Sequence, residues 1–395
     1  MFAIYNNNGV AENKGGPAGY LFNLQCGLRE NNYVIEILSD FNQAGIKNSK
    51  TKLKKVKIQL FEEIRSILHF YKKGLTIKYK SKNNFNNYAV LHIHSSEDAY
   101  YIKKLIGFRN KIILSSHKPE TLANEKIGAI NLECGRNWKC LLLRSFYDYI
   151  EKTVYSFSDG FVFPSEGAEK LYESFTGYKK NKIGKPVKYV YTGCKKKTIT
   201  INRMNYRKNL GISNDEFMIS YIGRHNYIKG YDLLTKIGDQ LINDGMSVVC
   251  AGQTSSITYP ISKKWIELGY ISDAQNLINA SDVVIIPNRN TYFDLVIIEI
   301  LSMGKIVITS HTGGNVDIAK ETRGLVLFET GNERSLLQAI QKVREMSIKT
   351  RATLQSENIK FYEKHCSPLE FSRNYINAIN EILVEMNEAE IKQRF

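Results

Sequence analysis

The feature that most constrains this chain is a strand–helix alternation that stops and then starts again. Residues 2–5, 33–38, 89–93, 111–115 and 160–163 are short apolar runs of strand length, and helical patterns such as 18–28 lie between them. Pro164-Ser165-Glu166 reads as a helix start with Ser165 as its N-cap. After residue 212 the alternation begins afresh. Strands are predicted at 217–222, 246–251, 282–287 and 305–309, with helices at 231–241 and 295–303. Residues 192–212 are polar and non-periodic, which predicts a linker over 196–212. Buried strands separated by helices pair in parallel, and a parallel sheet needs cover on both faces. The expected fold class is therefore α/β, with two Rossmann-like domains at 1–195 and 213–367 facing across a cleft. A final helix over 368–395, with apolar Phe371, Tyr375, Ile379, Ile382 and Met386, is expected to pack back toward the first domain. The length of 395 residues suits two such domains.

Charge divides the chain along the same line. Residues 1–205 hold 34 Lys and Arg against 17 Asp and Glu, while residues 206–395 hold 21 against 22, so the net +16 sits in the first half. Twelve of those basic residues fall within 47–82 beside only Glu62 and Glu63. From Ile58 to Tyr71 apolar residues recur at helical spacing, a pattern suited to weak peripheral contact with an anionic membrane. No reading motif for nucleic acid accompanies the charge, so no nucleic-acid partner is expected. Cysteines 26, 134, 140, 194, 250 and 366 form no C-x-x-C pair, which argues against a zinc site or disulfide framework. No apolar run is long enough to span a bilayer, and 1–9 lacks the pattern of a signal peptide. A cytoplasmic protein is expected, with a place at the inner face of the membrane if the basic stretch docks there.

The glycine loops narrow the chemistry. Gly15-Gly16-Pro17-Ala18-Gly19 fits neither G-x-G-x-x-G nor the P-loop pattern, which disfavours dehydrogenase and nucleotide-hydrolase readings. Glycine loops at helix starts still offer backbone N–H groups and a positive dipole end to phosphate, as at Gly15-Gly16, Gly223-Arg224 and Gly313-Gly314. In Gly223-Arg-His-Asn-Tyr-Ile-Lys-Gly230, Arg224 offers a fork for phosphate oxygens and Lys229 a compact charge. Downstream, Glu299 lies in an otherwise apolar helix, where a carboxylate needs a partner such as ribose hydroxyls. No D-x-D precedes a strand end, so no carboxylate-held metal ion is expected beside a phosphate group. His92 and His94 alternate along a strand and lack the spacing of a helical metal pair; one reads as core, and His94 as close to a loop. Trp138, Trp265 and the tyrosine-rich stretches at 100–101 and 147–149 read as packing residues.

Taken in order, these pieces resemble the family-4 retaining glycosyltransferases of GT-B fold. The order is a Gly-Gly loop after the first strand, His-x-His at 92–94, a strand running to His117, G-R-x4-K-G-x-D-L-L, a loop with its downstream Glu299, and T-G-G at 312–314. The resemblance is close over 217–320 and looser over 1–195. It implies that Arg224 and Lys229 hold the donor diphosphate and act in catalysis. It further implies that Glu299 holds the ribose, that Gly16 meets phosphate through its N–H, and that His117 lies beside the transferred sugar. Tyr292, Phe293 and Leu295 join the donor site, and Gly15 and His94 the acceptor side. One departure stands out: the first glutamate of the family's E-x7-E motif falls on Thr291, and the glycine after the aromatic falls on Asp294. Asp294 is then expected to supply the missing negative charge. The implied function is transfer of a sugar, with retention, from a nucleotide diphosphate such as UDP to a glycan, lipid-linked or protein-linked hydroxyl in bacterial surface glycan assembly. No cofactor is needed. A non-catalytic homologue that binds sugar for another transferase and a sugar-nucleotide epimerase are the alternatives.

Overall fold

The computed structural model describes residues 1–12, 16–40, 83–129, 138–175, 177–254 and 256–393. The basic amphipathic stretch at 47–82, Gly15 and Cys134 lie outside the described residues, as do the side chains of Trp138 and Cys140. The chain divides into two compact units: Met1–Phe163 with Glu169–Val190 and Ser372–Phe395, and Pro164–Ala168 with Tyr191–Phe371.

The first unit is built on β1 (Phe2–Tyr5), β2 (Glu36–Leu38), β3 (Val90–Ile93), β4 (Lys111–Leu114), β5 (Gly160–Phe163) and β6 (Val187–Tyr189). All pair in parallel, in the order β2-β1-β3-β4-β5-β6. Every residue of β3 and of β5 is buried, as a strand covered on both faces requires. The run predicted at 33–38 pairs only from Glu36. Tyr100, Tyr101 and Tyr147 are core residues, whereas Tyr149 is exposed. The helix Pro368–Glu385 places Tyr375, Ile379 and Ile382 in full burial. It is tied to β6 by Lys188, which bridges Glu381 and Glu385 at 2.8 and 2.9 Å. The helix stops short of the predicted 395, and Asn387 turns the chain with φ 56°.

The second unit is built on β7 (Met218–Ile222), β8 (Ser247–Ala251), β9 (Trp265–Gly269), β10 (Val283–Ile286), β11 (Ile306–Ser310) and β12 (Leu325–Phe328). This sheet is also parallel, ordered β12-β11-β10-β7-β8-β9, the doubly wound arrangement. The predicted helix at 231–241 is two short helices, Tyr231–Lys236 and Gly238–Asn243, with the break at Ile237, whose φ −95° and ψ 0° depart from helical values just before the poor helix former Gly238. Trp265 packs in the apolar core beside β8 and Tyr231.

The stretch read as a linker at 196–212 is not featureless. It holds the helix Arg203–Asn209, with Asn202 as N-cap, within the second unit. Arg207 is fully buried there; it donates to the carbonyls of Ser213, Glu216 and Ala280 and pairs with Asp282 at 3.3 Å. Asp282 also accepts from Arg203 and from the Met218 N–H that opens β7. A buried guanidinium is tolerated only when its donors are filled, and these carbonyls fill them. Among the described residues no helix is long and apolar enough to cross a membrane.

Candidate active site

In the second sheet β7 lies between β10 and β8, so the chain builds outward in both directions from the β7–β10 pair. Ligands of open α/β sheets bind beyond the carboxyl ends of the strands at such a switch point. The loops there are 223–230 after β7 and 287–294 after β10. They touch backbone to backbone: Gly230 has φ +66°, and a Cβ on it would sit 1.9 Å from the Pro287 carbonyl oxygen. Arg289 ties them again, with both terminal nitrogens on the Asp232 carboxylate at 2.6 and 2.7 Å. Its guanidinium also lies 3.7 Å from the centre of the Tyr227 ring.

Arg224 and Lys229 share this loop. The Arg224 side chain is exposed, and no carboxylate among the described residues pairs with it. Lys229 lies 3.3 Å from Asp294 Oδ1. Asp294 is the N-cap residue of the helix Leu295–Ser302, yet its carboxylate makes no bond to that helix. Instead its Oδ2 accepts from Thr291 Oγ1 at 2.7 Å and from the Asn288 amide. The hydroxyl at 291 thus orients a carboxylate three residues on, which in turn holds Lys229. Thr291 and Tyr292 are buried. Phe293 and Leu295 pack against the apolar cluster around Ile297 and Ile298. The T-G-G turn closes on this loop: Gly313 has φ +53° with room for a Cβ only 2.0 Å from the Thr291 carbonyl oxygen, and Gly314 N–H donates to Tyr292 O. Glu299 Oε1 is 3.1 Å from Lys197 Nζ. Sequence reasoning missed Asn288, Arg289 and Lys197. The first two directly follow the β10 run and Pro287, a place where a loop residue deserves suspicion; Lys197 is one of three consecutive lysines and carries no signal of its own.

The first unit has its own switch point, with β1 between β2 and β3. The helix Gly16–Glu30 follows β1, and its first residue, Gly16, is exposed with φ +68° and open space around it. The histidines gather at the carboxyl ends of β3 and β4. His92 is fully buried, between Tyr375 Oη at 2.7 Å from Nδ1 and Ser115 Oγ at 2.8 Å from Nε2. The Ser115 hydroxyl donates to the Val162 carbonyl, so it accepts from His92, which is therefore the neutral Nε2–H tautomer taking a bond from Tyr375. His94 is buried as well, one residue past β3, with Nδ1 2.9 Å from His117 Nε2 and, among the described residues, no partner for its own Nε2. The Tyr20 ring covers both, at 5.2 and 4.8 Å between centroids. Burial drives the pKa of His92 down to about 3 and that of His117 to about 4, and His117 adds to the shift at His92. Burial, with His92 and His117 nearby, also pushes His94 well below its ordinary value. The cluster is thus an uncharged set of donors and acceptors, suited to hydroxyls more than to anions.

Among the described residues no group of three His, Cys, Asp or Glu is placed to hold a metal ion, and Cys26, Cys194, Cys250 and Cys366 carry free thiols.

Residues 216–345 match the family described as Glycosyl transferases group 1. An uncharacterised glycosyltransferase of Methanocaldococcus jannaschii is 27% identical over 174 residues; the match covers 40% of this chain and 44% of that protein. Among solved structures, sucrose-phosphate synthase from Thermosynechococcus elongatus superposes with a TM-score of 0.68 at 17% identity, over 97% of this chain and 99% of that one. Trehalose 6-phosphate synthase from Burkholderia multivorans gives 0.64 at 12% identity, covering 98% and 99%. Anabaena HepE in complex with UDP and glucose gives 0.60 at 13% identity, covering 96% and 98%. At these identities the likeness to the solved structures is one of fold. The chain has the α/β fold of the GT-B glycosyltransferases, and Arg224, Lys229, Asp294 and Glu299 all lie within the segment that matches the glycosyl transferases group 1 family.

Proposed function

We propose that the protein is a metal-independent, retaining glycosyltransferase of the family-4 type, which moves a hexose from a UDP-sugar to an acceptor hydroxyl. The observation that carries this reading is the exposed Arg224 guanidinium, without a carboxylate partner among the described residues, in one loop with Lys229 beyond the carboxyl end of the switch-point strand β7. Breaking a glycosidic bond to a diphosphate places charge on the leaving oxygens. Fixed donors aimed at that charge are worth most where water is excluded. Arg224 supplies a forked pair of N–H groups and Lys229 a second positive centre. The Lys229–Asp294 contact is then one that the diphosphate competes with, and the Asp294 carboxylate is left to face the sugar. Glu299 accepts from the ribose in place of Lys197. The complexes of Anabaena HepE with UDP and with UDP-glucose support the choice of nucleotide. In the first unit, Gly16 offers backbone N–H to phosphate, while His117 and His94 offer neutral hydrogen-bonding groups to sugar and acceptor. The acceptor in this reading is a glycan, lipid-linked or protein-linked hydroxyl of surface glycan assembly at the cytoplasmic side of a membrane.

The test is transfer and slow donor hydrolysis, with a panel of nucleotide sugars, by the parent, Arg224→Ala and Lys229→Ala. Loss of at least a hundredfold in kcat/KM in both variants is expected. Equal rates in all three would refute the assignment. Donor binding without hydrolysis or transfer would favour a non-catalytic homologue, and a changed sugar nucleotide without acceptor an epimerase.

A further inference from the structure

We propose that Tyr221 is a positioning residue for the donor diphosphate, acting by fastening the backbone of both phosphate-binding residues. The inference rests on the reading of Arg224 and Lys229 given above. Tyr221 stands on β7 with 1% of its surface exposed. Its hydroxyl donates to the Arg224 carbonyl at 2.8 Å and lies 3.4 Å from the Lys229 carbonyl. A phenol has one proton, so the shorter bond takes most of it and the longer contact shares it. The five-residue span between the two cations is thereby drawn to a single point beneath the loop. Inside that span the Lys229 N–H donates to Asn226 Oδ1 at 2.9 Å, which sets the turn.

The phenol has little freedom to move. Its ring lies 5.7 Å from the His225 ring and 5.3 Å from the Tyr231 ring. Those two rings stack on each other at 4.0 Å, with 4° between their planes. Tyr231 is anchored in turn by its bond to Glu267, which also accepts the Trp265 indole N–H at 2.6 Å. Buried aromatic and carboxylate groups thus hold the hydroxyl in place, and burial keeps the phenol protonated by raising its pKa. A side chain that contacts no ligand of its own then decides the spacing of two charges that must meet two phosphates. Positioning of this kind acts on diphosphate recognition and has little bearing on a nucleoside monophosphate.

The experiment is calorimetric titration of the full chain with UDP and with UMP. In Tyr221→Phe the ring stays and only the hydroxyl goes. UDP affinity is expected to fall about fivefold, the worth of one net hydrogen bond, with UMP affinity held within about twofold. Tyr362→Phe removes a like bond in the same unit, to the Cys194 carbonyl at 2.9 Å, and should leave both affinities unchanged. UDP binding equal to the parent in Tyr221→Phe, while Arg224→Ala binds UDP poorly, overturns the inference and leaves the diphosphate reading standing. UDP binding equal to the parent in Arg224→Ala overturns that reading itself. Equal weakening of UDP and UMP in Tyr221→Phe would mean general loosening and also overturns the inference. Should Tyr221→Phe fail to fold, Gly223→Ala sets a methyl 3.1 Å from the same hydroxyl. Parent-like UDP over UMP preference there would be equally fatal.

Discussion

Lowering the pH from 7.5 to 5.0 should destabilise the first unit through His92, by an amount that its surroundings fix. The imidazole is neutral, gives its one proton to Ser115 and takes one from Tyr375. A second proton on Nδ1 would meet the Tyr375 hydroxyl proton and, in full burial, has no water to spread its charge. Its folded pKa is about 3 against about 6.5 in an unfolded chain. A lowered histidine pKa leaves stability intact above the unfolded value and removes it as pH falls, because only the unfolded state then takes up the proton. Between pH 7.5 and 5.0 the loss from this one group is about 2 kcal/mol, and it continues toward pH 3. The assay is urea unfolding followed by the tyrosine signal, at both pH values, of the parent and His92→Gln. The variant lacks the titrating group, so its stability should fall by about 2 kcal/mol less than the parent's across the same interval. His94, His117 and Tyr375 face the same space; the other histidines add slopes of their own, and the slope of His94 is smaller in the variant because His92 no longer pushes its pKa down. An equal pH response in the two proteins would refute the reasoning, as would a native His92 titrating near 6.5 by NMR.

Three further outcomes follow from the second unit. Arg207→Met leaves the Glu216 carbonyl without its donor, takes donors from the carbonyls of Ser213 and Ala280 and from the carboxylate of Asp282, and should cost about 3–5 kcal/mol in chemical unfolding; a loss below about 1 kcal/mol would mean that the helix Arg203–Asn209 is held by something else. Gly230→Ala forces a methyl onto the Pro287 carbonyl at a positive φ, and should remove UDP binding while lowering stability by more than about 2 kcal/mol; calorimetry and a thermal melt decide it. Glu299→Gln should weaken UDP binding about tenfold, as loss of a charged acceptor does, and erase any preference for UDP over 2′-deoxy-UDP; a preference unchanged from the parent would place the ribose elsewhere.

The central strands of both sheets are readable from the chain because each is covered on two faces and so is largely apolar, with single polar residues such as His92 in β3 and Ser220 in β7. The edges are not. β2, β6, β9 and β12 close the two sheets, and each carries half-buried or exposed positions such as Glu36, Lys188, Glu267 and Val326. A strand paired on one side has no need to be apolar throughout, which is why the pairing within 33–38 starts only at Glu36 and why β6 and β9 carry no strand signal; β12 is the apolar run Leu325-Val-Leu-Phe328, so this reason does not extend to it. At the site, Arg224 and Lys229 were legible since a strand-ending glycine before Arg and a Lys-Gly at a helix start form a local pattern. The tie between Thr291, Asn288 and Asp294 is also local in sequence, yet it depends on which way one carboxylate turns, and spacing cannot say that. Lys197 against Glu299 and Tyr375 against His92 join residues 102 and 283 apart, where no periodicity reaches.

The pairing of His92 with Tyr375 has a consequence for synthesis. A ribosome adding roughly 5–20 residues per second needs roughly 15–60 s to make the 283 residues that separate the two. During that time the imidazole has no Tyr375 hydroxyl, and the apolar face that receives Ile379 and Ile382 has no helix over it. The second unit is made almost entirely of one continuous stretch, Tyr191–Phe371, and emerges whole before residue 372 does. The unit encoded first is thus the one finished last, and it is the one a nascent chain must keep from sticking to its neighbours.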